Sequence, residues 1–285
     1  MLSTLAASGQ DFQSEFRRQC AARDTAAARQ TLVRWQKQRP QDPDYYVARF
    51  NQLLEQAERV MVSRQPANGR GLTLTDSLGN TAGSISSGWD PTLIERACAT
   101  LRRGVDLAPN RLDMRFGLAK AYEVNGQPEA QVQVLREALA YRAAAGSKPW
   151  RWRDGEALPA PEEAFVPGCL EDYASTYWQE GSPEGLETGR QLTELLRQYY
   201  PKSSLGPFNL GVYYGIKGQP EQAYTHLKQA DALQPNDLST VANLAKICIN
   251  AGRKAEAQAY LARLRKLPGS RQAATELSAA LRQLK

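Results

Sequence analysis

The feature that most constrains this chain is a repeat of 34 residues near its carboxyl end. Residues 204–237 carry a pattern of small and large apolar positions that returns in the following segment. The matched pairs, each 34 positions apart, are Leu210 and Leu244, Gly211 and Ala245, Ala223 and Ala257, Leu227 and Leu261, and Gly218 and Gly252. Small residues let two antiparallel helices approach closely, and large apolar residues fill the space beside them. The pattern therefore predicts helical hairpins that stack on one another.

This pattern resembles the tetratricopeptide repeat family, whose unit is a 34-residue helix-turn-helix. The resemblance implies an all-α fold: a right-handed superhelical solenoid of helix-turn-helix repeats, interrupted by two inserted loops or short β-hairpins. The chain is similar to bacterial members of the family that are often exported.

Prolines that end helices locate the repeats and the insertions. Pro201 and Pro235 are one repeat apart, whereas 69 residues separate Pro40 from Pro109 and 92 separate Pro109 from Pro201. The excess over whole repeats predicts two insertions, which in such arrays often emerge on the binding face. The predicted organisation is one solenoid over residues 9–285, with repeats at about 9–42, 43–109 (insertion 63–89), 112–146, 167–201 (after insertion 147–166), 204–237 and 238–269, and a terminal helix at 270–285.

The first insertion has the alternation of a β-hairpin. Threonine and leucine alternate over residues 72–75, turn-forming residues follow from Asp76 to Asn80, and Ile85 lies in a second extended segment. The helix before this insertion is expected to continue through Val60.

The second insertion is marked by Trp150, Arg151, Trp152 and Arg153, which alternate as residues of a strand do, followed by the turn pair Asp154 and Gly155. Tryptophan and arginine are enriched at binding hot spots, so these four residues are binding candidates. The alternative is that a tryptophan packs the insertion onto the helices while the arginines stay solvated.

Composition is that of a folded chain with a modest positive charge. Apolar residues make up 42% and charged residues 23%, and the net charge is +6. This charge could attract nucleic acid or another anionic polymer, but arginines on solvated helix faces explain the same number, and nucleic acid is not the favoured partner. The four cysteines are far apart in sequence and show no zinc or redox spacing, so buried thiols are expected and a disulfide stays open.

The amino terminus suggests export. Ala7, Ser8 and Gly9 form the small-x-small pattern of a signal peptidase site, which makes residues 1–8 a signal remnant or a disordered terminus and Gln10 the first mature residue. The alternative is an ordinary cytoplasmic chain. No run approaches the ~20 apolar residues of a membrane helix.

Catalysis, metals and cofactors are not predicted. His226 is the only histidine, and neither a Cys-His pair nor a nucleophile motif is present. The resemblance to the repeat family implies instead a non-enzymatic adaptor or scaffold that binds a protein or peptide. The alternatives are a basic-surface binder of nucleic acid or anionic polymers, and an accessory subunit of an enzyme with a site at the insertions.

The resemblance also implies a location for the ligand, because the first helix of each repeat in this family faces a concave groove. The groove candidates carried over in this way are Phe116, Lys120, Phe208, Asn209, Val212, Asn243, Lys246 and Asn250. Asn209 and Asn243 are 34 positions apart, and their amides can pair with a peptide backbone. A wet helix face that tolerates asparagine is the alternative. The chaperone-tail clamp of some relatives is not predicted, because Phe116 and Phe208 stand where it needs lysine.

Overall fold

The computed structural model describes residues 7–64, 72–146 and 148–283. Residues 1–6 of the predicted signal remnant and residues 65–71 of the first insertion lie outside this description. The chain forms two compact units, which divide between residues 157 and 158. A single solenoid over residues 9–285 stays a prediction, and each unit is described by itself.

Unit 1 consists of three helical hairpins with a small sheet inserted in the second. Its helices are α1 (Ala7–Ala21), α2 (Thr25–Gln38), α3 (Pro43–Ala57), α4 (Pro91–Leu107), α5 (Leu112–Val124) and α6 (Pro128–Ala144). Asp24 caps α2 by accepting a hydrogen bond from the backbone N–H of Ala27 at 2.9 Å. Asp90 caps α4 in the same way, and Pro91 occupies the first turn, where its missing N–H costs nothing. Each cap satisfies a backbone N–H at the helix start that has no partner within the helix.

The amino-terminal hairpin of unit 1 has its own apolar cluster. Phe12 stacks on the fully buried Trp35, with ring centroids 5.9 Å apart, and Tyr45 meets the same tryptophan edge-on. Phe16 and Leu32 complete the contact between α1 and α2. Phe12, Phe16, Leu32 and Trp35 are therefore core residues of this hairpin.

The first insertion is a three-stranded antiparallel sheet. Its strands are β1 (Glu58–Ser63), β2 (Leu72–Thr75) and β3 (Thr81–Trp89), in the order β1-β3-β2. The predicted hairpin is confirmed as β2 and β3, with Asp76 bonded to Asn80 across the turn. The backbone N–H of Asp90 donates to the carbonyl of Ala57 at 2.8 Å, so the insertion leaves and rejoins the hairpin at one point.

The expectation that helix continues through Val60 is wrong. Helix α3 ends at Ala57, and Val60 pairs with Ser87 in the sheet. Its side chain is exposed, so no burial on a helix face competes with strand formation. A β-branched residue fits a pleated strand better than a helix, and the pairing with β3 decides the outcome.

Of the two forms left open for the insertions, loop or short β-hairpin, the second insertion takes the loop form with one β bridge. Among the described residues of this segment, the only β pairing is a single parallel bridge between Arg151 and Arg111. A 3-10 turn covers Arg153–Gly155, with Asp154 in the left-handed region at φ 58°. The turn pair was correctly identified, but the strand has its partner at the start of α5 and not within the insertion.

Unit 2 contains the most regular repeats. Its helices are α7 (Glu162–Glu180), α8 (Pro183–Tyr199), α9 (Leu205–Ile216), α10 (Pro220–Leu233), α11 (Leu238–Asn250), α12 (Lys254–Leu264) and α13 (Arg271–Gln283). Gly211 of α9 lies against Leu227 of α10, where a Cβ on the glycine would be 2.6 Å from the leucine Cγ. Ala223 and Ala257 are fully buried. The predicted role of small residues at these helix crossings is confirmed.

The fold class is therefore all-α, built of helix-turn-helix repeats with a small inserted sheet. In the part of the chain that the structure describes, no helix is long and apolar enough to span a membrane.

Candidate functional site

The main cleft of unit 1 lies where the second insertion passes beside the first helices of the three hairpins. Side chains from α1, α3 and α5 and from residues 152–156 enclose about 720 Å³. Phe16, Phe50 and Phe116 contribute mostly buried rings, and Trp152 of the insertion is half-buried. Phe116 and Trp152 meet edge-on with centroids 6.2 Å apart. A predicted groove residue and a predicted insertion residue thus form one wall of the cleft.

Backbone hydrogen bonds hold the insertion in this position. The N–H of Arg151 donates to the carbonyl of Asn110 at 2.8 Å, and the N–H of Leu112 donates to the carbonyl of Arg151 at 2.9 Å. The second bond also satisfies one of the free N–H groups at the start of α5, which otherwise need water or a cap. The side chains of Arg151 and Arg153 stay exposed.

Trp150 anchors the insertion in the body of unit 1. It is 2% exposed, and its ring lies 5.7 Å from that of Tyr141. The guanidinium of Arg115 lies 4.9 Å from the centroid of Tyr141 and 5.7 Å from that of Trp150. Burial lowers the pKa of Arg115, and the two aromatic faces and the Pro109 carbonyl stabilise its charge. Trp150 therefore serves packing, whereas Trp152 faces the cleft.

An ion triad forms the floor of the cleft. Arg111 is 6% exposed and donates two hydrogen bonds to Asp113 and one to Asp44, all at 2.8 Å. Burial opposes the charge of Arg111, but the bonds to both carboxylates raise its pKa overall. Burial raises the pKa of Asp44, and the bond from Arg111 offsets part of that effect. The triad fixes α3 to α5 at the base of the cleft.

The rim is built around Asp154. Its carboxylate accepts hydrogen bonds from Arg17 at 2.8 Å and from Gln13 at 2.5 Å, which ties the insertion to α1. Burial works to raise the pKa of Asp154, but these bonds outweigh it and lower the pKa. Arg153 also lines the cleft and makes no ion pair with any described residue. The rim therefore offers a guanidinium beside the aromatic wall.

The other groove candidates are placed differently. Lys120 is exposed and pairs with Glu123 on its own helix. In unit 2, Asn209 is 2% exposed, whereas Asn243, its counterpart 34 positions on, is half-buried. The remaining candidates lie on α9 and α11, where Phe208 and Val212 are half-buried and Lys246 and Asn250 are exposed. The structure brings together Phe116, Trp152 and Arg153.

Sequence reasoning missed much of this cleft. Asp44, Arg111 and Asp154 were not candidates, because ion pairs between residues 67 or 137 positions apart leave no local pattern. One signal was available: Arg111 directly precedes α5, and Asp113 follows two residues later in its first turn. An acid there favours the helix dipole, and a neighbouring arginine can pair with it.

The groups that line the cleft are aromatic, charged and amide side chains. Among the described residues, no group of three histidine, cysteine or acidic side chains is arranged to hold a metal ion. His226, in unit 2, stacks on Tyr214 with ring planes 5° apart, which is a packing contact. The cleft offers an aromatic wall, a floor of paired charges and a charged rim, which can contact a side chain and a backbone segment of a ligand.

Comparison with known proteins bears on the helical hairpins. Residues 216–283 match the family model described as tetratricopeptide repeat. No curated protein matches the chain in sequence.

Solved structures with similarity include pilF of Pseudomonas aeruginosa, at 19% identity and TM-score 0.38 over 67% of this chain and 84% of that one. A thermophilic tetratricopeptide repeat protein of Thermus thermophilus has 19% identity and TM-score 0.38 over 67% of this chain and 91% of its own. YrrB, a protein of the same repeat type with an unusual peptide-binding site, has 12% identity and TM-score 0.41 over 66% and 84% of the two chains.

The family assignment depends on residues 216–283, which cover most of the segment where the 34-residue spacing is most regular. Ala223, Ala245 and Ala257 are fully buried in this part of the chain, as the pattern requires. Stacked repeats of this kind build scaffolds for protein interaction. Residues 216–283 of this chain therefore form a segment of the tetratricopeptide repeat type.

Proposed function

We propose that the chain is a non-enzymatic adaptor that binds a segment of a partner protein in the cleft of unit 1. The observation that carries the proposal is the contact between Phe116 and Trp152, with centroids 6.2 Å apart. Phe116 lies on the first helix of a hairpin, the surface that repeats of this family use for ligands, and Trp152 comes from an insertion. Insertions in repeat arrays usually lie on the binding face, and here both features face one cleft.

The size and lining of the cleft support a peptide ligand. Its volume of about 720 Å³ is within the ~300–1,000 Å³ of typical ligand pockets. Trp152 keeps part of its ring accessible, and tryptophan buries a large area at little cost in side-chain entropy. An apolar or aromatic side chain of the ligand is therefore expected to pack against Trp152.

Polar groups around this wall can hold the backbone of the ligand. Asn51 lines the cleft and carries an amide that can both donate and accept. Arg153 has its guanidinium free of ion pairs among the described residues, so it can bond to a carbonyl or an acidic side chain of the ligand. An extended segment recognised through backbone and one or two anchors fits these groups.

The test is selection of peptides from a displayed library on the full chain. Binding of the selected peptides is then compared between the wild type, the double variant Trp152→Ala/Arg153→Gln, and the control Lys246→Ala/Asn250→Ala. The control changes two exposed groove candidates of unit 2. Loss of a hot-spot tryptophan weakens binding by ~30-fold or more.

We expect the control to bind as the wild type does and the first variant to lose binding while keeping its thermal unfolding midpoint within a few degrees. Equal binding by all three proteins would contradict the proposal that the peptide binds in the cleft of unit 1. If only the control variant lost binding, the binding site would lie in unit 2.

A further inference from the structure

A second cavity of unit 1 has the charge of an anion site. It lies among α2, α3 and α4, encloses about 350 Å³, and is separate in its lining from the cleft described above. Arg49 of α3 and Arg96 and Arg103 of α4 line it, together with Tyr45 and Gln36. Among the described residues that line it there is no acidic side chain, so three positive charges face this space without a carboxylate in its lining.

The three guanidinium groups also have little to neutralise them elsewhere. Arg49 bonds to the neutral amide oxygen of Gln52. Arg96 and Arg103 are exposed and make no ion pair with any residue that the structure describes. In the neighbouring cleft the opposite holds, since Arg111 and Arg17 are each bonded to carboxylates. Arg111 and Arg17 of the cleft are therefore paired with carboxylates, whereas the three arginines of the second cavity make no such pair with a described residue.

Helix geometry turns these groups toward the same space. Arg96, Thr100 and Arg103 are spaced by four and three residues, so they lie on one face of α4. Next to Arg103, Gly104 lets α4 approach α3, because a Cβ on this glycine would be 3.0 Å from the Cβ of Tyr46. The close crossing brings the arginine face of α4 beside Arg49.

Tyr45 adds a neutral donor. Its ring is mostly buried, it lines the cavity, and its hydroxyl makes no hydrogen bond to another residue of the described chain. Burial raises the pKa of Tyr45, while the charges of Arg49 and Arg103 act to lower it, which indicates that both guanidinium groups are within electrostatic reach of the phenol. The phenol stays protonated near neutral pH and can donate to an anion.

We propose that this cavity binds a phosphate or sulfate group carried by a small molecule. Guanidinium groups match the oxygens of a phosphate in pairs, and bonds between opposite charges are about twice as strong as neutral ones. A dianion would also relieve the repulsion among the three arginines, which is unfavourable in the empty site. The site does not depend on peptide binding in the cleft, because the two cavities share none of the residues used here.

The test uses inorganic phosphate as the probe and the full chain as the protein. Thermal unfolding midpoints are measured against phosphate concentration at constant ionic strength, since a ligand that binds only the folded state raises the midpoint. The variant Arg96→Gln/Arg103→Gln is compared with Arg18→Gln/Arg136→Gln, which removes the same charge from exposed positions of α1 and α6. A second arm measures sedimentation with phosphatidylglycerol vesicles, which separates a lipid headgroup from a soluble phosphate.

We expect phosphate to raise the midpoint of the wild type and of the control, and the dissociation constant to increase at least about tenfold in Arg96→Gln/Arg103→Gln. Sedimentation with vesicles that this variant loses and the control keeps would support the same site with a lipid source. A phosphate response that is equal in all three proteins, or absent from the wild type in both arms, would overturn the proposal.

Discussion

Arg111 donates a hydrogen bond to Asp44 at 2.8 Å across 67 positions of the chain, although only 6% of the arginine side chain is exposed. The pair connects the start of α5 to the start of α3 and forms the floor of the cleft. We predict that Arg111→Met destabilises the protein by ~3 kcal/mol, because Asp44 and Asp113 then stay partly buried without a counter-charge.

The matched control for this prediction is Arg17→Met. Arg17 also pairs with a carboxylate, that of Asp154, but its side chain is 62% exposed. A solvated pair of this kind contributes at most about 1 kcal/mol. Urea unfolding followed by tryptophan fluorescence reports on unit 1, where four of the five tryptophans lie. Equal costs for the two variants would contradict the role given to the triad.

A second prediction concerns the crossing of α9 and α10. Gly211→Ala places a methyl group about where the Leu227 side chain lies, since the added Cβ would be 2.6 Å from the leucine Cγ. The expected cost is ~1–3 kcal/mol of stability. Gly168→Ala in α7 is the control, because nothing lies within 4 Å of its Cβ position and alanine is the better helix former. The two variants are compared by calorimetric unfolding. If Gly211→Ala is no less stable than Gly168→Ala, the close contact between α9 and α10 does not limit the residue at position 211.

A third prediction concerns acid stability in unit 2. Asp231 accepts two hydrogen bonds from Arg263, at 2.7 and 2.9 Å, and these bonds lower its pKa below the usual 3.8. A lowered pKa means that the folded state holds the proton less tightly than the unfolded state. The contribution is therefore complete well above pH 3.8 and is lost as the pH falls through the folded-state pKa.

Asp231→Asn is expected to cost ~1–2 kcal/mol near neutral pH, because Arg263 is about one-third exposed and partly hydrated once unpaired. The variant should also lose less stability than the wild type between pH 5 and pH 2. Unfolding midpoints in urea at several pH values give the comparison. Parallel curves for the two proteins would show that Asp231 does not carry this pH dependence.

A fourth prediction concerns the thiols. Burial raises the pKa of Cys98, Cys169 and Cys248 to about 11, so almost none of each is thiolate at neutral pH. Cys20 is exposed. Alkylation under native conditions, read by peptide mass spectrometry, should label Cys20 first and Cys98 and Cys248 only after denaturant is added. Rapid native labelling of Cys248 would contradict the burial seen in α11.

The sequence predicted the parts of the fold that depend on neighbours along the chain. The hairpin of β2 and β3 was predicted because its alternating residues and its turn lie close together in the sequence. The core positions Ala223 and Ala257 followed from a spacing of 34, since each hairpin repeats the same internal packing. Patterns of neighbouring residues were therefore sufficient to predict the individual hairpins.

Contacts between segments far apart in the chain could not be predicted from the sequence. The strand character of residues 58–63 depends on pairing with residues 84–89, so Val60 was wrongly placed in a helix. The bridge between Arg151 and Arg111 likewise depends on where the second insertion lies against α5. Repeat symmetry also has a limit, since Asn209 and Asn243 share a position in the repeat but differ in exposure.

The closed base of the first insertion gives the second hairpin a modular construction. Ala57 and Asp90 are joined by a backbone hydrogen bond of 2.8 Å, so the strands between them enter and leave through one narrow neck. Helices α3 and α4 can keep their crossing whatever the neck carries, provided that its two ends stay this close. We therefore expect that the segment between Ala57 and Asp90 can be shortened to a tight turn or exchanged for another hairpin while α3 and α4 keep their packing.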